Sequence, residues 1–354
     1  MGQTLLMVHF EHTPTTLTVR WPDGAEIALS AGWIRHSCAC EACLHPSGQR
    51  LIDIASLAPD ATIAAAHLDG TELVVDVDQH PVRLRLDALE PAQPAEVPTQ
   101  RWASDPEWLR QTAVPGDADL TSMLTQVATH GIGLAVDVEC APGAVLEFAR
   151  RCGFVRSTNY GDLFDVRSVA DPNNLAFTSL GLPLHTDNPY RDPVPTVQIL
   201  HCLQNSASGG VSMFADGFGA AEQLRTVDPA AFEVLRSTPV DFRFADAVTD
   251  LRATKPVIGV GVDGAIESVR LNNRSMQPVA SPTSFYEALA RFTEIVNDPA
   301  CIAQIRLGPG DVVVFDNRRV LHARTAFQAD GDRHLQGCYI DIDAIRSRAL
   351  VANR

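Results

Sequence analysis

Three side chains in this sequence have the types and the spacing that suit a mononuclear metal centre. His185 and Asp187 lie two residues apart in LPLHTDNPY, and His322 follows the apolar run GDVVVFD much later in the chain. On an extended strand, positions i and i+2 project to the same face, so this imidazole and carboxylate converge. Two histidines and one carboxylate hold Fe(II) on one face and leave positions open. The pattern predicts an iron site; the alternative for His185 is a surface or capping role.

An arginine follows the second histidine at a spacing that suits a carboxylate-binding role. A turn signal at Asp330-Gly331 precedes Arg333, which places this arginine on a return strand. A guanidinium binds a carboxylate through two parallel hydrogen bonds. We therefore expect Arg333 to bind the distal carboxylate of 2-oxoglutarate, with the oxo-acid end on the iron and O2 in the remaining position. An ordinary surface arginine is the alternative.

A second candidate metal site is a cysteine cluster near the N-terminus. Cys38, Cys40 and Cys43 fall within six residues. This spacing is too tight for unstrained mutual disulfides, but it suits three thiolates around one cation. His36 and His45 are nearby candidates for a fourth ligand. We expect a structural zinc site, since a closed site with four ligands has no open position for catalysis; a redox or free-thiol cluster is the alternative.

Composition limits the class of protein and its partners. The chain has 354 residues, 45% hydrophobic and 20% charged, as expected for a soluble globular protein with one large and one small domain. Its net charge of -15 would repel nucleic acid and anionic membranes. We find no secretory signal or apolar spanning run, so we expect a cytoplasmic protein with a small-molecule partner. Its cysteines should be reduced, and five isolated ones should be buried: Cys140, Cys152, Cys202, Cys301 and Cys338.

The N-terminal third has the signals of a small β-rich domain. Alternating residues over 4–29, around the turn Pro22-Asp23-Gly24, predict a hairpin, and Asp69-Gly70 predicts a second one. Residues 89–106 contain four prolines and no periodicity, which is typical of a linker. We therefore predict a zinc-binding domain over 1–92 and a catalytic domain over 93–354.

The larger domain is predicted to be mainly β with flanking helices. Helical patterns over 120–130 and 141–154 end near Gly131 and Gly153. After residue 175, short apolar runs recur between clusters of Gly, Pro, Asn and Asp, which favours an all-β core. Two helices interrupt this core, over 228–236 and 284–297, with Ser284 as a possible N-cap. Such a domain would be a double-stranded β-helix, or jelly roll.

Beyond these patterns, the sequence resembles the 2-oxoglutarate dioxygenases related to taurine dioxygenase, and among them the gamma-butyrobetaine and trimethyllysine hydroxylases. The resemblance covers nearly the whole chain and runs through WIRHSCACEAC, NNLAFTSLGLPLHTD, QILHCLQNSASGGVSMFADGF, FDNRRVLHARTAF and RHLQGCYID. It implies a homodimeric enzyme that hydroxylates an unactivated carbon while 2-oxoglutarate becomes succinate and CO2. By position it implies the following roles: iron ligands His185, Asp187 and His322; 2-oxoglutarate ligands Arg333 and Ser212; fourth zinc ligand His80.

The resemblance also implies an aromatic cage for a quaternary ammonium group. Such a group donates no hydrogen bonds, so proteins bind it through the faces of aromatic rings. Four ordinary core aromatics are the alternative, although aromatic residues make up only 6% of the chain. The positions that match the cage of the gamma-butyrobetaine hydroxylases are Tyr160, Phe164, Phe177 and Tyr339.

The opposite end of a betaine substrate is an anion. Asn174 and Asn272 match positions that bind the betaine carboxylate in the resembling family. Arg274, in LNNRSMQ, adds a cation where some betaine hydroxylases have none, and HTDNPYRDP also departs from those enzymes. We therefore predict hydroxylation of gamma-butyrobetaine to carnitine, with 2-(trimethylamino)ethylphosphonate or a related aminophosphonate as the alternative substrate. A non-catalytic zinc-containing binding protein is the alternative from another class.

Overall fold

In the computed structural model, the chain divides into two compact units, Met1–Glu96 and Val97–Arg354. The structure describes residues 8–58, 60–89, 100, 107–167, 178–280, 283–328 and 330–352. Within those ranges no helix combines the length and the apolar character that a bilayer crossing requires. The predicted linker over 89–106 and the boundary between 92 and 93 fall mostly outside the described residues, so the assignment of 1–92 and 93–354 stays a prediction.

The N-terminal unit is built from short strands and helices. Their bounds are β1 His9–His12, β2 Thr16–Arg20, β3 Glu26–Ser30, α1 Ala31–His36, a 3-10 turn Ile54–Ser56, β4 Ile63–Asp69, β5 Glu72–Val77, β6 His80–Arg85 and α2 Leu86–Leu89. The strands form two antiparallel sheets, β1-β2-β3 and β4-β5-β6. Both predicted hairpins are present, as β2-β3 and β4-β5, and β1 adds a further strand to the first.

The C-terminal unit contains more strands and longer helices. The helices are α3 Glu107–Gln111, α4 Thr121–His130, α5 Ala144–Cys152, α6 Gly217–Val227, α7 Pro229–Ser237, α8 Ser284–Val296 and α9 Ile342–Ala352, with a 3-10 turn at Pro299–Cys301. The strands are β7 Val114–Pro115, β8 Ile132–Val136, β9 Phe164–Val166, β10 Leu182–His185, β11 Val197–Asn205, β12 Ser212–Asp216, β13 Val240–Ala245, β14 Asp250–Lys255, β15 Ile258–Val260, β16 Ile266–Val269, β17 Ile302–Ile305, β18 Val312–Asp316, β19 Val320–Arg324 and β20 Arg333–Ile340.

Two sheets form the core of this unit. The six-stranded sheet has the order β7-β8-β18-β11-β20-β9, and the four-stranded sheet has the order β10-β19-β12-β17. Their inner faces pack together, with the rings of Phe214 on β12 and Phe315 on β18 5.5 Å apart. Because β18 is covered on both faces, its first four residues, Val312 to Phe315, are continuously apolar rather than alternating.

Helices cover the outer face of each sheet, which completes the predicted mainly β architecture. On β11, Val197 and Ile199 face the cluster that includes helices α4, α5 and α9. The intervening Leu200 and Cys202 face the inner core, as the two-residue period of a strand requires. Helices α6, α7 and α8 pack on the four-stranded sheet.

The helix predictions are partly confirmed. Helices α4, α5, α7 and α8 lie where the sequence predicts them, and Gly131 ends α4 with a positive φ of 83° that suits glycine. The prediction of Ser284 as an N-cap is wrong. Thr283 occupies the cap position without a side-chain cap hydrogen bond, and Ser284 is the first helical residue.

Helix α6 is an addition that the sequence patterns did not predict. It begins with the sequence Gly-Phe-Gly, a weak helix start by propensity. Its N-terminus is held instead by Asp216, which accepts a hydrogen bond from the amide of Gly219 and forms a buried ion pair with Arg319. Tertiary contacts therefore compensate for the weak local signal. Helix α9 was also not predicted.

The cysteine predictions divide by position. All eight cysteines are free thiols, as expected for reduced residues. Three of the five isolated ones are buried on helices or strands: Cys152, Cys202 and Cys338. The prediction is wrong for Cys140, which is exposed in the connection between β8 and α5, and for Cys301, which is only partly buried at the end of a 3-10 turn.

Candidate active site

The strand pairing of β10 with β19 brings the predicted iron ligands together. His185 is the last residue of β10 and lies directly opposite His322 on β19. The centres of the two imidazole rings are 4.2 Å apart. With Asp187, two residues beyond the strand, they offer one ligand atom each, and these atoms all lie within 4.8 Å of one another. The structure therefore places the three predicted ligands in one cluster.

Hydrogen bonds and charge prepare these three side chains to bind a cation. The Nδ1–H of His185 donates to the carbonyl of Pro183 at 2.8 Å, so its Nε2 keeps a lone pair, 3.4 Å from Asp187 Oδ1. Burial, assisted by His185, lowers the pKa of His322 to about 3, so this ring is a neutral ligand at ordinary pH. Burial alone would raise the pKa of Asp187, but the facing histidines hold it well below its usual range.

Two further residues hold Asp187 in place, one of which the sequence analysis missed. The side chain of buried Asn317 accepts from the amide of Asp187 at 2.7 Å and donates to its carbonyl at 2.9 Å. The hydroxyl of Tyr339 donates to Asp187 Oδ2 at 2.9 Å. Burial raises the pKa of Tyr339 well above its usual value, so the phenol stays a donor. The position of Asn317 directly after the β18 strand was the available sequence signal.

Arg333 begins β20, the predicted return strand, and its guanidinium is buried. It is 7% exposed, and its Nη1 has no hydrogen-bond partner in the protein. Its guanidinium carbon lies 5.5 Å from the centre of the Phe327 ring, and Arg324 lies 5.0 Å from the same ring. Burial lowers the pKa of Arg333 to about 10, which still leaves it charged at neutral pH. Ser212, also buried, lines the same cavity.

One cavity of about 480 Å³ contains these groups and several aromatic side chains. Of the predicted cage, it brings together Tyr160, Phe164 and Tyr339, with the last two rings 5.2 Å apart. The cavity also contains Tyr190 and Phe244, which were not predicted from the sequence and whose rings stack at 5.2 Å. Phe244 comes from the β13-β14 hairpin, and no local sequence signal connects that hairpin with the metal-ligand segment. The predicted cage residue Phe177 lies outside the described residues.

Polar side chains line another part of the cavity. Asn272 is buried, where its Nδ2 donates to the carbonyl of Thr186 and its Oδ1 accepts from the amide of Arg274. These bonds tie the LNNRS loop to the metal-ligand segment. Like Arg333 Nη1, the buried donors Arg274 Nη1 and Asn188 Nδ2 have no hydrogen-bond partner within the described part of the chain. Asn174, predicted to bind the same head group, lies outside the described residues.

The four residues of the predicted zinc site also lie together. His80 Nε2 is 3.2 Å from the sulfur of Cys38 and 3.7 Å from the sulfurs of Cys40 and Cys43. Tetrahedral zinc with ordinary bond lengths would separate sulfur and nitrogen ligands by ~3.5 Å. Arg35 donates to the sulfur of Cys43 at 3.1 Å. The donor set and spacing therefore fit zinc.

The pKa values of Cys38 and Cys40 shift in opposite directions, for different reasons. Burial raises the pKa of the Cys38 thiol to about 11, whereas hydrogen bonds from Cys38 and Cys43 lower the pKa of exposed Cys40. The nearby histidine candidates are not in the cluster of four, and His45 Nδ1 contacts the hydroxyl of Ser47 instead. A cation at this site would therefore have to displace a proton from Cys38.

The three candidate metal ligands lie together in the cavity with buried arginines, the arrangement that a metal-dependent catalytic site would need. Residues 106–339 match the family model described as taurine catabolism dioxygenase TauD, TfdA family, and residues 8–78 match gamma-butyrobetaine hydroxylase-like, N-terminal. The chain belongs to the TauD/TfdA family and is a dioxygenase. Together with the clustered triad, this membership argues against a non-catalytic binding protein.

Relatives match along nearly the full length. A gamma-butyrobetaine dioxygenase from Pseudomonas sp. strain AK-1 is 38% identical, over 96% of this chain and 94% of its own. The human gamma-butyrobetaine dioxygenase is 29% identical over 95% and 94%. The mitochondrial trimethyllysine dioxygenase of Gallus gallus is 29% identical over 90% and 81%.

Solved structures share the fold. The crystal structure of the PvcB protein from Pseudomonas aeruginosa superimposes with a TM-score of 0.51 at 21% sequence identity, and covers 65% of this chain and 82% of its own. A second structure of PvcB, described as an Fe, alpha-ketoglutarate dependent oxygenase, gives a TM-score of 0.50 at 22% identity, with coverage of 64% and 81%. At this level of identity the likeness concerns the fold alone.

Proposed function

We propose that this chain uses Fe(II), 2-oxoglutarate and O2 to hydroxylate a small trimethylammonium zwitterion, with gamma-butyrobetaine to carnitine as the preferred reaction. The observation that carries the proposal is the single cavity that contains the His185, Asp187 and His322 cluster, the buried Arg333 and an aromatic wall. The names of the full-length Pseudomonas and human relatives support the substrate.

The chain's own residues would hold and orient the reactants. His185, Asp187 and His322 would bind iron through two neutral nitrogens and one carboxylate, a set that suits Fe(II) and leaves positions open. Bound iron supplies the O2 activation that hydroxylation of an unactivated carbon requires. Arg333 would pair with the distal carboxylate of 2-oxoglutarate, because its buried Nη1 has no protein partner, and Ser212 would add a hydroxyl.

The aromatic wall would bind the trimethylammonium end. Phe164 and Tyr339 form one pair of rings, and Tyr160 and Phe244 form another, with ring centres 5.9 Å apart. Cation–π attraction to such faces contributes about 0.5 to 2 kcal/mol, and more when the cation is desolvated. Since these rings share the cavity with the metal ligands, a carbon near the cation would be held beside the reacting centre.

The positive charge of Arg274 in the cavity supports a specific second candidate for the anionic end. Arg274 and Asn188 both offer buried N–H groups to the cavity. Either a carboxylate or a phosphonate could accept from both groups, but a phosphonate carries more negative charge and so gains more from the Arg274 cation. Hydroxylation of 2-(trimethylamino)ethylphosphonate or a related aminophosphonate is therefore the second candidate. Asn272 would hold Arg274 in place for either head group.

A substrate screen tests the proposal. Iron-loaded protein would be incubated with 2-oxoglutarate and, separately, with betaines, trimethylated amino acids and aminophosphonates. We expect iron-dependent succinate release that rises with a trimethylammonium zwitterion and is matched by a hydroxylated product. Turnover stimulated only by substrates without a quaternary nitrogen would contradict the assignment.

Arg274→Ala should separate the two head groups. Loss of a buried charged partner is typically worth roughly 2 to 5 kcal/mol, and the loss should be larger for a dianionic phosphonate than for a carboxylate. The measurement is the ratio of kcat/KM for gamma-butyrobetaine to kcat/KM for its phosphonate analogue.

The matched control for that measurement is Arg243→Ala. Arg243 also lines the cavity, but its Nε and Nη2 already donate to the two carboxylate oxygens of Asp250. This variant should leave the ratio near the wild-type value. An unchanged ratio in Arg274→Ala would mean that Arg274 does not distinguish the head groups, and the phosphonate candidate would lose its main support.

We also infer that the Cys38, Cys40, Cys43 and His80 cluster holds a structural zinc ion. Cys40→Ser should lower both zinc content and the unfolding temperature, because binding energy at a closed site contributes to folding. Zinc content by elemental analysis and thermal unfolding are the measurements. Cys140→Ser, the same substitution at an exposed cysteine outside the cluster, should change neither. Normal zinc and normal unfolding in Cys40→Ser would rule out this closed site.

A further inference from the structure

Tyr339 contacts two parts of the active site through two parts of its side chain. It lies on β20, is 3% exposed, and its ring centre is 5.2 Å from that of Phe164. Its hydroxyl donates to Asp187 Oδ2 at 2.9 Å. The ring therefore belongs to the aromatic wall, whereas the hydroxyl reaches the only carboxylate among the metal-ligand candidates.

The backbone of Asp187 is already fixed by another residue. Asn317 is 1% exposed and binds both the amide and the carbonyl of Asp187. What remains free is rotation of the carboxylate about its side-chain bonds. Of its two oxygens, Oδ1 lies 3.4 Å from His185 Nε2, and Oδ2 receives the Tyr339 hydrogen bond. The Tyr339 hydrogen bond opposes that rotation at Oδ2, which also lies 3.8 Å from His322 Nε2.

We propose that Tyr339 is a positioning residue for the metal-binding carboxylate, in addition to being a wall of the aromatic cage. The proposal rests on the proposed function, since it assumes that Asp187 is a metal ligand. A carboxylate that gives one oxygen to a cation has a second oxygen free to accept a hydrogen bond, and such bonds orient metal ligands. The hydroxyl of Tyr339 thereby orients the Asp187 carboxylate, while its ring forms part of the aromatic wall beside that carboxylate.

The ring should stay in place without its hydroxyl. Gly337 lies two residues before Tyr339 on β20 and has no side chain. A Cβ at this position would lie 2.4 Å from Cζ of Phe164, so the Phe164 ring packs directly against the β20 backbone. The backbone of Tyr339 also accepts a hydrogen bond from the amide of Arg156 at 2.8 Å. Tyr339→Phe should therefore keep the aromatic face and remove only the contact with Asp187.

Metal affinity is the measurement that separates the two roles. Fe(II) would be titrated into wild type and into Asp187→Ala in the absence of O2, 2-oxoglutarate and substrate. The iron bound by wild type but not by Asp187→Ala would define binding at the His185, Asp187 and His322 site. Tyr339→Phe should weaken this binding by about 10- to 100-fold. Its KM for the trimethylammonium substrate at saturating iron should stay within about twofold, since the cation–π face remains.

Tyr160→Phe is the matched control for metal affinity. Its hydroxyl lies 3.3 Å from the hydroxyl of Tyr190 and makes no hydrogen bond to Asp187 among the described contacts. Wild-type iron affinity in Tyr160→Phe together with weakened affinity in Tyr339→Phe would support the proposal. Equal affinity in Tyr339→Phe and wild type would overturn the positioning role while leaving the proposed function intact. Wild-type protein without any Asp187-dependent iron site would overturn both.

Discussion

Asp187→Ala is expected to abolish hydroxylation while the fold survives. Asp187 is the only anionic group in the candidate iron site, and the remaining ligands would be two neutral imidazoles. A site of two histidines that has lost its carboxylate ligand should not retain Fe(II). Folding should persist because the strand pairing that carries the histidines does not depend on the Asp187 side chain. The measurements are product formation, iron content, zinc content and thermal unfolding.

The control for charge is Asp263→Ala, which removes the same carboxylate from an exposed turn between β15 and β16. This variant should retain iron and turnover. Hydroxylation that persists in Asp187→Ala at the wild-type rate would overturn the assignment of the iron ligands.

Arg333→Ala is expected to give the second large effect, on the use of 2-oxoglutarate. The guanidinium is buried, lies over the Phe327 ring with its carbon 5.5 Å from the ring centre, and has one nitrogen without a partner among the described residues. Truncation of one member of a buried charge pair typically costs roughly 2 to 5 kcal/mol. Since ~1.4 kcal/mol is tenfold, KM for 2-oxoglutarate should rise by at least ~30-fold. The KM for 2-oxoglutarate at saturating iron and substrate is the measurement.

Arg333→Lys tests whether geometry matters as well as charge. A lysine keeps the positive charge but cannot form two parallel hydrogen bonds, so its KM should fall between wild type and Arg333→Ala. If all three proteins use 2-oxoglutarate with the same KM, Arg333 is not the residue that binds the distal carboxylate.

Much of the candidate site could be predicted because its residues carry strong local signals. The i, i+2 spacing of His185 and Asp187 requires only an extended backbone, and the cysteine cluster requires only a short loop. His322 and Arg333 follow recognisable strand and turn patterns. The structure brings each of these residues to its predicted cluster or cavity.

The rest depends on tertiary contacts that no short pattern encodes. Phe244 reaches the cavity from the β13-β14 hairpin, which is distant in sequence from the metal ligands. Asn317 holds Asp187 through the backbone amide of Asp187, although the two residues are far apart in sequence. Asn188 and Tyr190 lie close to the metal-ligand pair in sequence, but only the fold shows that they line the cavity. The roles of Asn174 and Phe177, the homodimer and the cytoplasmic location stay predictions.

Labelled O2 gives the most direct test of the central claim. Iron-loaded protein would be supplied with heavy-isotope O2, 2-oxoglutarate and gamma-butyrobetaine or its phosphonate analogue, and the products would be measured by mass spectrometry. We expect the hydroxylated zwitterion and succinate in equal amounts, with one atom of the heavy isotope in each. Labelled succinate without any hydroxylated zwitterion, or a hydroxylated product that carries no label from O2, would contradict the account.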